Sequence, residues 1–329
     1  MTTLDDYDIL ATLGKGAFGV VYKVRRKDAE PSSPPIALKV VDINPSQKHV
    51  VTATENEIEK LVKLASPTCN PFVICYYGSS HYDTIIPGRE VTRFLIEMEL
   101  IEGEEMSDYV DRLWDEKDSD TVYYYLLLIA KDILKGLRYT HNKNIIHNDI
   151  KLENIMIDKN NVPRIVDYGL ACGVAGTQEW NRYESKYCKN NGGTPDYIAP
   201  EFFTLGVRLP ASDLWALGIV LYIAATKDEY PFNIGEYDTI QEIFYKIRTQ
   251  TPAKLNTSNS QLNDLVNGLL EKDPAKRLTG DDALYMLKTI QKKVQAPEIM
   301  SSRVRTNLGS FQDMGPAQMR RAMSSFMLL

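Results

Sequence analysis

Hydrophobic and polar positions change rhythm near Gly103. Before it, short apolar runs dominate: "GVVYKVRR" and "IALKVVDI" are rich in β-branched residues, alternate in part, and are separated by the breaker-rich "DAEPSSPP". These predict strands of an antiparallel sheet joined by an exposed loop. Residues 50–65, "VVTATENEIEKLVKLA", have helical spacing, and "TRFLIEMEL" returns to a strand pattern. Further on, residues 121–141 put Leu126, Ala130, Ile133 and Leu137 on one stripe, while 211–226 are apolar enough for a buried helix. The pattern predicts an α+β chain: a β-rich part over 1–100, a mainly helical part over 101–295, a hinge at about 98–103, and a flexible tail over 296–329. In the tail, Met319, Met323, Phe326 and Met327 at helical spacing make a short amphipathic helix the alternative.

Composition narrows the partners. With 329 residues, 43% hydrophobic and 25% charged, the chain can bury a sizeable core. A net charge of -6 makes nucleic acid and anionic membranes poor default partners. "ALGIVLYIAA" is too short to span a bilayer, and "MTTLDDYDIL" lacks the basic start and apolar run of a signal peptide. Cys69, Cys75, Cys172 and Cys188 include no CxxC pair, so a structural zinc site has little support. Free thiols in a reducing, intracellular compartment, cytoplasmic or nuclear, are expected.

The polar clusters add chemistry. In "GKGAFGVV", Gly14, Gly16 and Gly19 let backbone N–H groups approach phosphates closely. A dinucleotide fold needs a helix after Gly19, and "VVYKVRR" reads as strand, so a phosphate-covering hairpin is the better reading. Alone, a ligand-free glycine turn explains the motif equally well. Strand alternation puts Ala37 and Lys39 on one face, where Lys39 can reach phosphate oxygens. Glu57 has Ala53, Leu61 and Leu64 as helical neighbours, whereas Glu59 sits beside Glu55 and Lys63, so Glu57 is the expected buried partner of Lys39.

"IMID" and "VPRIVD" read as a hairpin, whose outer ends are adjacent; Asn154 precedes the first strand and Asp167 follows the second. Two oxygen donors converging there suit a hard cation such as Mg2+ carrying phosphate. Asp149 can accept or orient a hydroxyl proton, and Lys151 can neutralise charge on a moving phosphoryl group.

The ordered set "GKGAFGVV", "IALK", "NEI", "HNDIKLEN", "DYG", "APE", "DLWALG" and "DPAKRLT" resembles the eukaryotic-type protein kinase family from about Tyr7 to Gln295. The resemblance implies a two-lobed protein kinase fold with a small antiparallel β-sheet lobe, a larger helical lobe and ATP with Mg2+ in the cleft. It implies that the loop of Gly14, Lys15, Gly16 and Gly19 covers the phosphates, that Lys39 holds them, and that Glu57 pairs with Lys39. Val21 and Ala37 would roof the adenine, Met98 would line the back, Glu99 to Ile101 would be the hinge, and Glu105 would belong to the cofactor-binding set. Asp149 would be the catalytic carboxylate, Lys151 its assistant, and Asn154 and Asp167 the metal ligands. Glu201 and Arg277 match a buried ion pair, and Asp213 an anchor of the catalytic loop.

"DIKLEN" and "GGTPDYIAPE" are similar to serine/threonine members, so protein substrates bearing Ser or Thr are implied. Leu170 leans toward serine, and Glu105 with Glu153 toward substrates with basic residues before the acceptor. Three positions depart from the family: Tyr168 replaces Phe, Leu152 replaces Pro, and Asn148 replaces the Arg that commonly grips a phosphate on the activation segment, here 167–201. A neutral amide lacks that charge-assisted grip. Catalysis independent of phosphorylation at Thr177, Tyr183, Ser185 or Tyr187 through residue 148 is therefore expected. The alternatives are a catalytically weak pseudokinase acting as an ATP-binding scaffold, which the presence of Lys39, Asp149, Asn154 and Asp167 disfavours, and a small-molecule kinase, which leaves "GTPDYIAPE" and Arg277 unexplained.

Overall fold

The computed structural model describes residues 2–16, 19–30, 32–174, 188, 192–227, 229–235 and 238–294. The N-terminal lobe is a five-stranded antiparallel sheet in the order β1-β2-β3-β5-β4: β1 (Tyr7–Gly16), β2 (Gly19–Arg26), β3 (Ile36–Ile43), β4 (Tyr76–Ile86) and β5 (Arg89–Met98). Alternation along β3 splits its side chains between two layers. Leu38 and Val40 join Tyr7, Val24 and Leu95 on one face. Val41 and Ile43 join Phe94 on the other, against Val50, Val51 and Ile58 of helix α1 (Lys48–Ala65). Lys39 belongs to this second set and is thereby turned toward α1.

The pattern of polar positions did not announce β4. "YYGSSHYDTII" alternates half-buried and exposed residues and buries none fully, as an edge strand with one open side does. Its pairing with β5 holds it, helped by Tyr82 packed against the Tyr7 and Leu95 cluster and by His81 stacked on Phe94 with centroids 5.2 Å apart.

The C-terminal lobe begins with β6 (Gly103–Glu105), α2 (Met106–Glu116) and α3 (Ser119–Asn142). Asp118 caps α3 by accepting from the Thr121 amide, and the helix buries Leu126, Ala130, Ile133 and Leu137 as its stripe requires. Next come β7 (Ile145–Ile146), β8 (Ile155–Asp158), β9 (Pro163–Ile165) and β10 (Cys172–Gly173); β6, β8 and β9 form one small sheet and β7 pairs with β10. Helices α4 (Pro200–Leu205), α5 (Pro210–Thr226), α6 (Ile240–Thr249) and α7 (Ser260–Leu269) complete the lobe, and α8 (Gly280–Val294) follows in sequence. Helix α5 is buried from Ser212 to Ala225, which explains its lack of a polar stripe. Among the described residues no helix is long and apolar enough to cross a membrane.

Residues up to Leu284 form one compact unit and those from Tyr285 a second, of which the described part is the end of α8. The tail over 296–329, and with it the amphipathic-helix alternative, lies outside the described residues. The expectation of free thiols is corrected: Cys69 is joined to Cys75 and Cys172 to Cys188, and no cysteine is free. Pairing depends on the approach of Cα atoms, 5.4 and 6.2 Å here, which a spacing without CxxC does not disclose.

Candidate active site

One cleft runs between the glycine hairpin, β3, the end of β5 and the start of β8. It is lined by Gly14, Gly16, Gly19, Val21, Ala37, Lys39, Glu57, Met98, Glu99, Ile101, Glu105 and Asp167. Lys15 is exposed on β1 and lies outside this lining. Leu100, within the expected hinge, adds an apolar wall, as do Leu13 and Met156, which the motifs do not single out. Leu13 directly precedes the glycines and Met156 sits in the hairpin after Asn154; only their approach across the cleft marks them. The backbone edge at Glu99 is fixed by its amide donating to the Cys75 carbonyl (2.9 Å), while the Cys75 amide donates to Glu99 Oε1 (3.0 Å).

The glycines differ in what they do. Gly19 has φ +131°, and a Cβ there would lie 2.3 Å from the Val40 carbonyl oxygen, so the fold itself demands glycine. A Cβ at Gly14 or Gly16 would meet nothing within 4 Å. Their lack of side chains leaves room that the protein does not use, as close approach of a ligand to the backbone requires.

Lys39 Nζ donates to Glu57 Oε1 at 2.6 Å and lies 3.6 Å from Asp167 Oδ1. Burial opposes the Lys39 charge, but the carboxylates of Glu57 and Asp167 outweigh it and raise its pKa above the ordinary lysine value. Glu59 instead pairs with Lys63 in solvent. Asp167 adopts φ +57°, a left-handed conformation that Asp tolerates better than most residues.

Below the cleft, Asp149 is held on both oxygens. Oδ1 accepts from the Thr194 amide (3.0 Å) and hydroxyl (2.9 Å), and Oδ2 from Asn154 Nδ2 (2.9 Å). Asn154 Nδ2 also donates to the Asp149 carbonyl (2.8 Å), which leaves Oδ1 as the end of its amide able to meet a cation. Lys151 Nζ donates to Thr194 Oγ1 (3.2 Å) and lies 3.4 Å from Asp149 Oδ2. Thr194 is absent from the residues that the motifs mark as functional, and its place within "GGTPDYIAPE" is the one sequence signal for it.

The loop carrying Asp149 is anchored by Asp213, which is 1% exposed. Its carboxylate accepts from the amides of His147 and Asn148, each at 2.9 Å, and meets His141 Nε2 at 2.7 Å. Burial pushes its pKa up, yet the bonds and charges around it prevail and hold it below the usual carboxylate value. Tyr168 is 1% exposed and its hydroxyl meets Thr140 Oγ1 at 3.0 Å, so the extra polar group has its partner. Glu201 and Arg277 form a doubly bonded pair at 2.9 and 2.8 Å, both side chains buried.

Asn148 has φ +70°, which favours Asn over most side chains. Its Nδ2 donates to the Leu170 carbonyl (3.0 Å) and Cys172 Sγ (3.0 Å) and lies 3.7 Å from Cys188 Sγ. Thr177, Tyr183, Ser185 and Tyr187 lie outside the described residues.

Nucleotide and metal both fit the donor set: an apolar slot, open glycine backbone, a buried cation and the oxygens of Asn154 and Asp167. No group of three or more His, Cys, Asp and Glu side chains that could hold a metal by itself occurs among the described residues. A Mg2+ ion, which usually keeps waters and takes phosphate oxygens, needs no such group.

The protein kinase domain family matches residues 7–289. Serine/threonine-protein kinase sgk-1 of Caenorhabditis elegans is 29% identical over 278 residues, covering 84% of this chain and 53% of that protein. RAC-beta serine/threonine-protein kinase B of Xenopus laevis is 31% identical over 288 residues, covering 85% and 52%. Serine/threonine-protein kinase Nek8 of Danio rerio is 28% identical over 324 residues, covering 97% and 40%. The chain spans about half the length of the first two relatives. Since the match runs from β1 into α8 and takes in every element that builds the cleft, the chain belongs to the protein kinase domain family.

Proposed function

We propose that the chain is an active serine/threonine protein kinase, transferring the γ-phosphoryl group of ATP to Ser or Thr hydroxyls of protein substrates. One observation carries this reading: the buried Lys39–Glu57 pair coexists with Asp149 held from both sides by Thr194 and Asn154. Lys39 is positioned to hold phosphate oxygens, with Glu57 fixing its amine. Asp149 orients the acceptor hydroxyl and takes its proton, and Lys151 offsets charge on the transferring group. Asn154 and Asp167 would hold Mg2+, which supplies charge neutralisation on the phosphates when bound.

Asn148 supports the finer reading, that turnover does not depend on a phosphorylated activation segment gripped at this position. Its amide is engaged with Leu170 and Cys172 and carries no charge for a phosphate. Glu105 is partly buried and close enough to Asp108 and Glu153 for burial and their charges to raise its pKa, and a basic substrate residue set among these carboxylates would relieve that repulsion. An activity fed by ATP and cellular proteins belongs inside the cell.

Phosphatase-treated protein should transfer phosphate from MgATP to a generic Ser/Thr protein, and Asp167→Asn should abolish transfer. Nucleotide binding without transfer would instead favour a scaffold. Activity that disappears on phosphatase treatment and returns on rephosphorylation would overturn the role given to Asn148.

A further inference from the structure

Cys172 and Cys188 are the two ends of a 16-residue separation, and they meet at Asn148. Each is built into a different wall. Cys172 pairs in β10 with Ile146 of β7, one residue before His147 and the catalytic loop. Cys188 exchanges both backbone hydrogen bonds with Arg208, at 3.1 and 2.9 Å. Arg208, 2% exposed, donates Nη2 to the Gly192 carbonyl (2.7 Å). At the next residue, Gly193 (φ +121°), a Cβ would lie 3.1 Å from the Asn148 carbonyl oxygen, and Thr194 then grips Asp149. The route from Cys188 to the catalytic carboxylate thus runs through the backbone pairing with Arg208, the Arg208 guanidinium on the Gly192 carbonyl, and the amide and hydroxyl of Thr194 on Asp149.

We propose that Cys172 and Cys188 form a reversible thiol–disulfide modification site whose oxidised state latches the protein-substrate side of the active site. The proposal rests on the kinase reading and adds its regulation. A neutral Asn148 amide offers no charge for gripping a phosphate, whereas a covalent bond from Cys172, beside the catalytic loop, to Cys188 ties Cys188 and its pairing with Arg208 to that loop. Both Lys39–Glu57 and Asp149–Thr194 are assembled in the cross-linked state, so oxidation favours turnover.

The chemistry needs a small disulfide, such as glutathione disulfide, as oxidant. Cys172 is half-buried and Cys188 buried, so Cys172 is the sulfur that a small disulfide reaches first. Its thiolate attacks the small disulfide, forming a mixed disulfide and expelling one small thiolate. The Cys188 thiolate then attacks Cys172 Sγ, forming the intrachain bond and expelling the second. The two cysteine sulfurs lose two electrons, the small disulfide gains them, and the two protein protons end on two small thiols. The Asn148 N–H beside Cys172 Sγ favours the thiolate that starts the exchange.

The full chain should be equilibrated across ratios of reduced to oxidised glutathione, trapped by alkylation and mapped by peptide mass, with kinetics measured on casein and on ATP. The expected result is one Cys172–Cys188 bond, a KM for casein about fivefold or more higher after reduction, and a KM for ATP changed less than about twofold. Cys172→Ser and Cys188→Ser should match the reduced form in either buffer. Alkylation of both thiols at every ratio, or identical casein kinetics in the two states, would overturn the proposal. So would a redox response that survives in Cys172→Ser, since Cys69–Cys75 would then be responsible. If no form transfers phosphate, the kinase reading fails, and amide exchange over 192–197 decides the latch alone. Slower exchange in the oxidised form supports it, and equal exchange overturns it.

Discussion

Lys39 and Glu57, 18 residues apart in sequence, meet at 2.6 Å with both side chains buried, and Asp167 stands 3.6 Å from the same ammonium group. A strand and a helix are thereby tied to the cleft floor through one cation. Because β3 alternation and α1 periodicity each deliver one partner, the pair reports whether the two elements are docked.

Lys39→Met should lower kcat by about 10²–10³-fold, the scale of removing one charge-stabilising donor from an active site. Glu57→Gln should cost less, since Lys39 keeps Asp167 nearby. The double variant should be no worse than Lys39→Met, because both changes act through the same amine. Additive losses would show that Glu57 acts elsewhere. The raised Lys39 pKa carries a sign: the charged amine, and the stability it contributes, are fully present below the unfolded value and lost only as pH rises through the folded one. A rate profile should show no alkaline loss from Lys39 below about pH 10.

Asp213 gives the opposite sign. Its folded pKa is depressed, so its contribution is present above the unfolded value of about 3.9 and is lost as pH falls through the lower folded value. Asp213→Asn removes the charge that His141 and the His147 and Asn148 amides were built around, and should cost about 3–5 kcal/mol at pH 7. Urea unfolding at descending pH should show the gap between variant and parent narrowing toward strongly acid conditions. A constant gap would mean that the charge is not what anchors the loop.

Tyr168→Phe removes a hydroxyl that is hydrogen-bonded to Thr140 Oγ1, on α3 and itself buried. The ring remains edge-on to His147, with centroids 4.6 Å apart. The expected cost is about 1 kcal/mol, the net worth of one neutral hydrogen bond, with kcat and both KM values unchanged within about twofold. Differential scanning calorimetry and initial rates would check this; a large kinetic effect would give the hydroxyl a role in turnover.

How much of this was legible depends on the range of the interaction. Glu57 could be chosen over Glu59 because helical neighbours alone decide which glutamate turns inward, and the structure has Glu57 at 7% and Glu59 at 59% side-chain exposure. The hairpin of β8 and β9 was equally readable, since Ile155 pairs with Ile165 across a short turn. Strand β4 was hidden because Gly78, Ser80 and Thr84 share its half-buried positions with Tyr82, so no apolar alternation marks it. The surroundings of Asn148 were hidden for another reason: its side-chain contacts come from 22 to 40 positions away and the partner of its amide from 65, and no local period records them. Thr194 stood inside a recognised motif, yet its double grip on one oxygen of Asp149 exists only once that loop is folded.

The glycines of the hairpin allow a last separation of fold from function. At Gly19 a methyl group would strike the Val40 carbonyl, and φ +131° adds a backbone cost of about 1–3 kcal/mol. Gly19→Ala should therefore lower the melting temperature as well as activity. At Gly14 and Gly16 a methyl group meets no protein atom, so Gly14→Ala and Gly16→Ala should leave the melting temperature within about 1 °C, given that a 1 kcal/mol change moves it by only a few degrees. Their effect should fall on nucleotide binding, with a KM for ATP raised by up to about tenfold and the KM for protein substrate unchanged. Thermal unfolding with and without ATP separates the outcomes. If Gly14→Ala unfolds as early as Gly19→Ala, the open space beside Gly14 serves the hairpin and not the nucleotide.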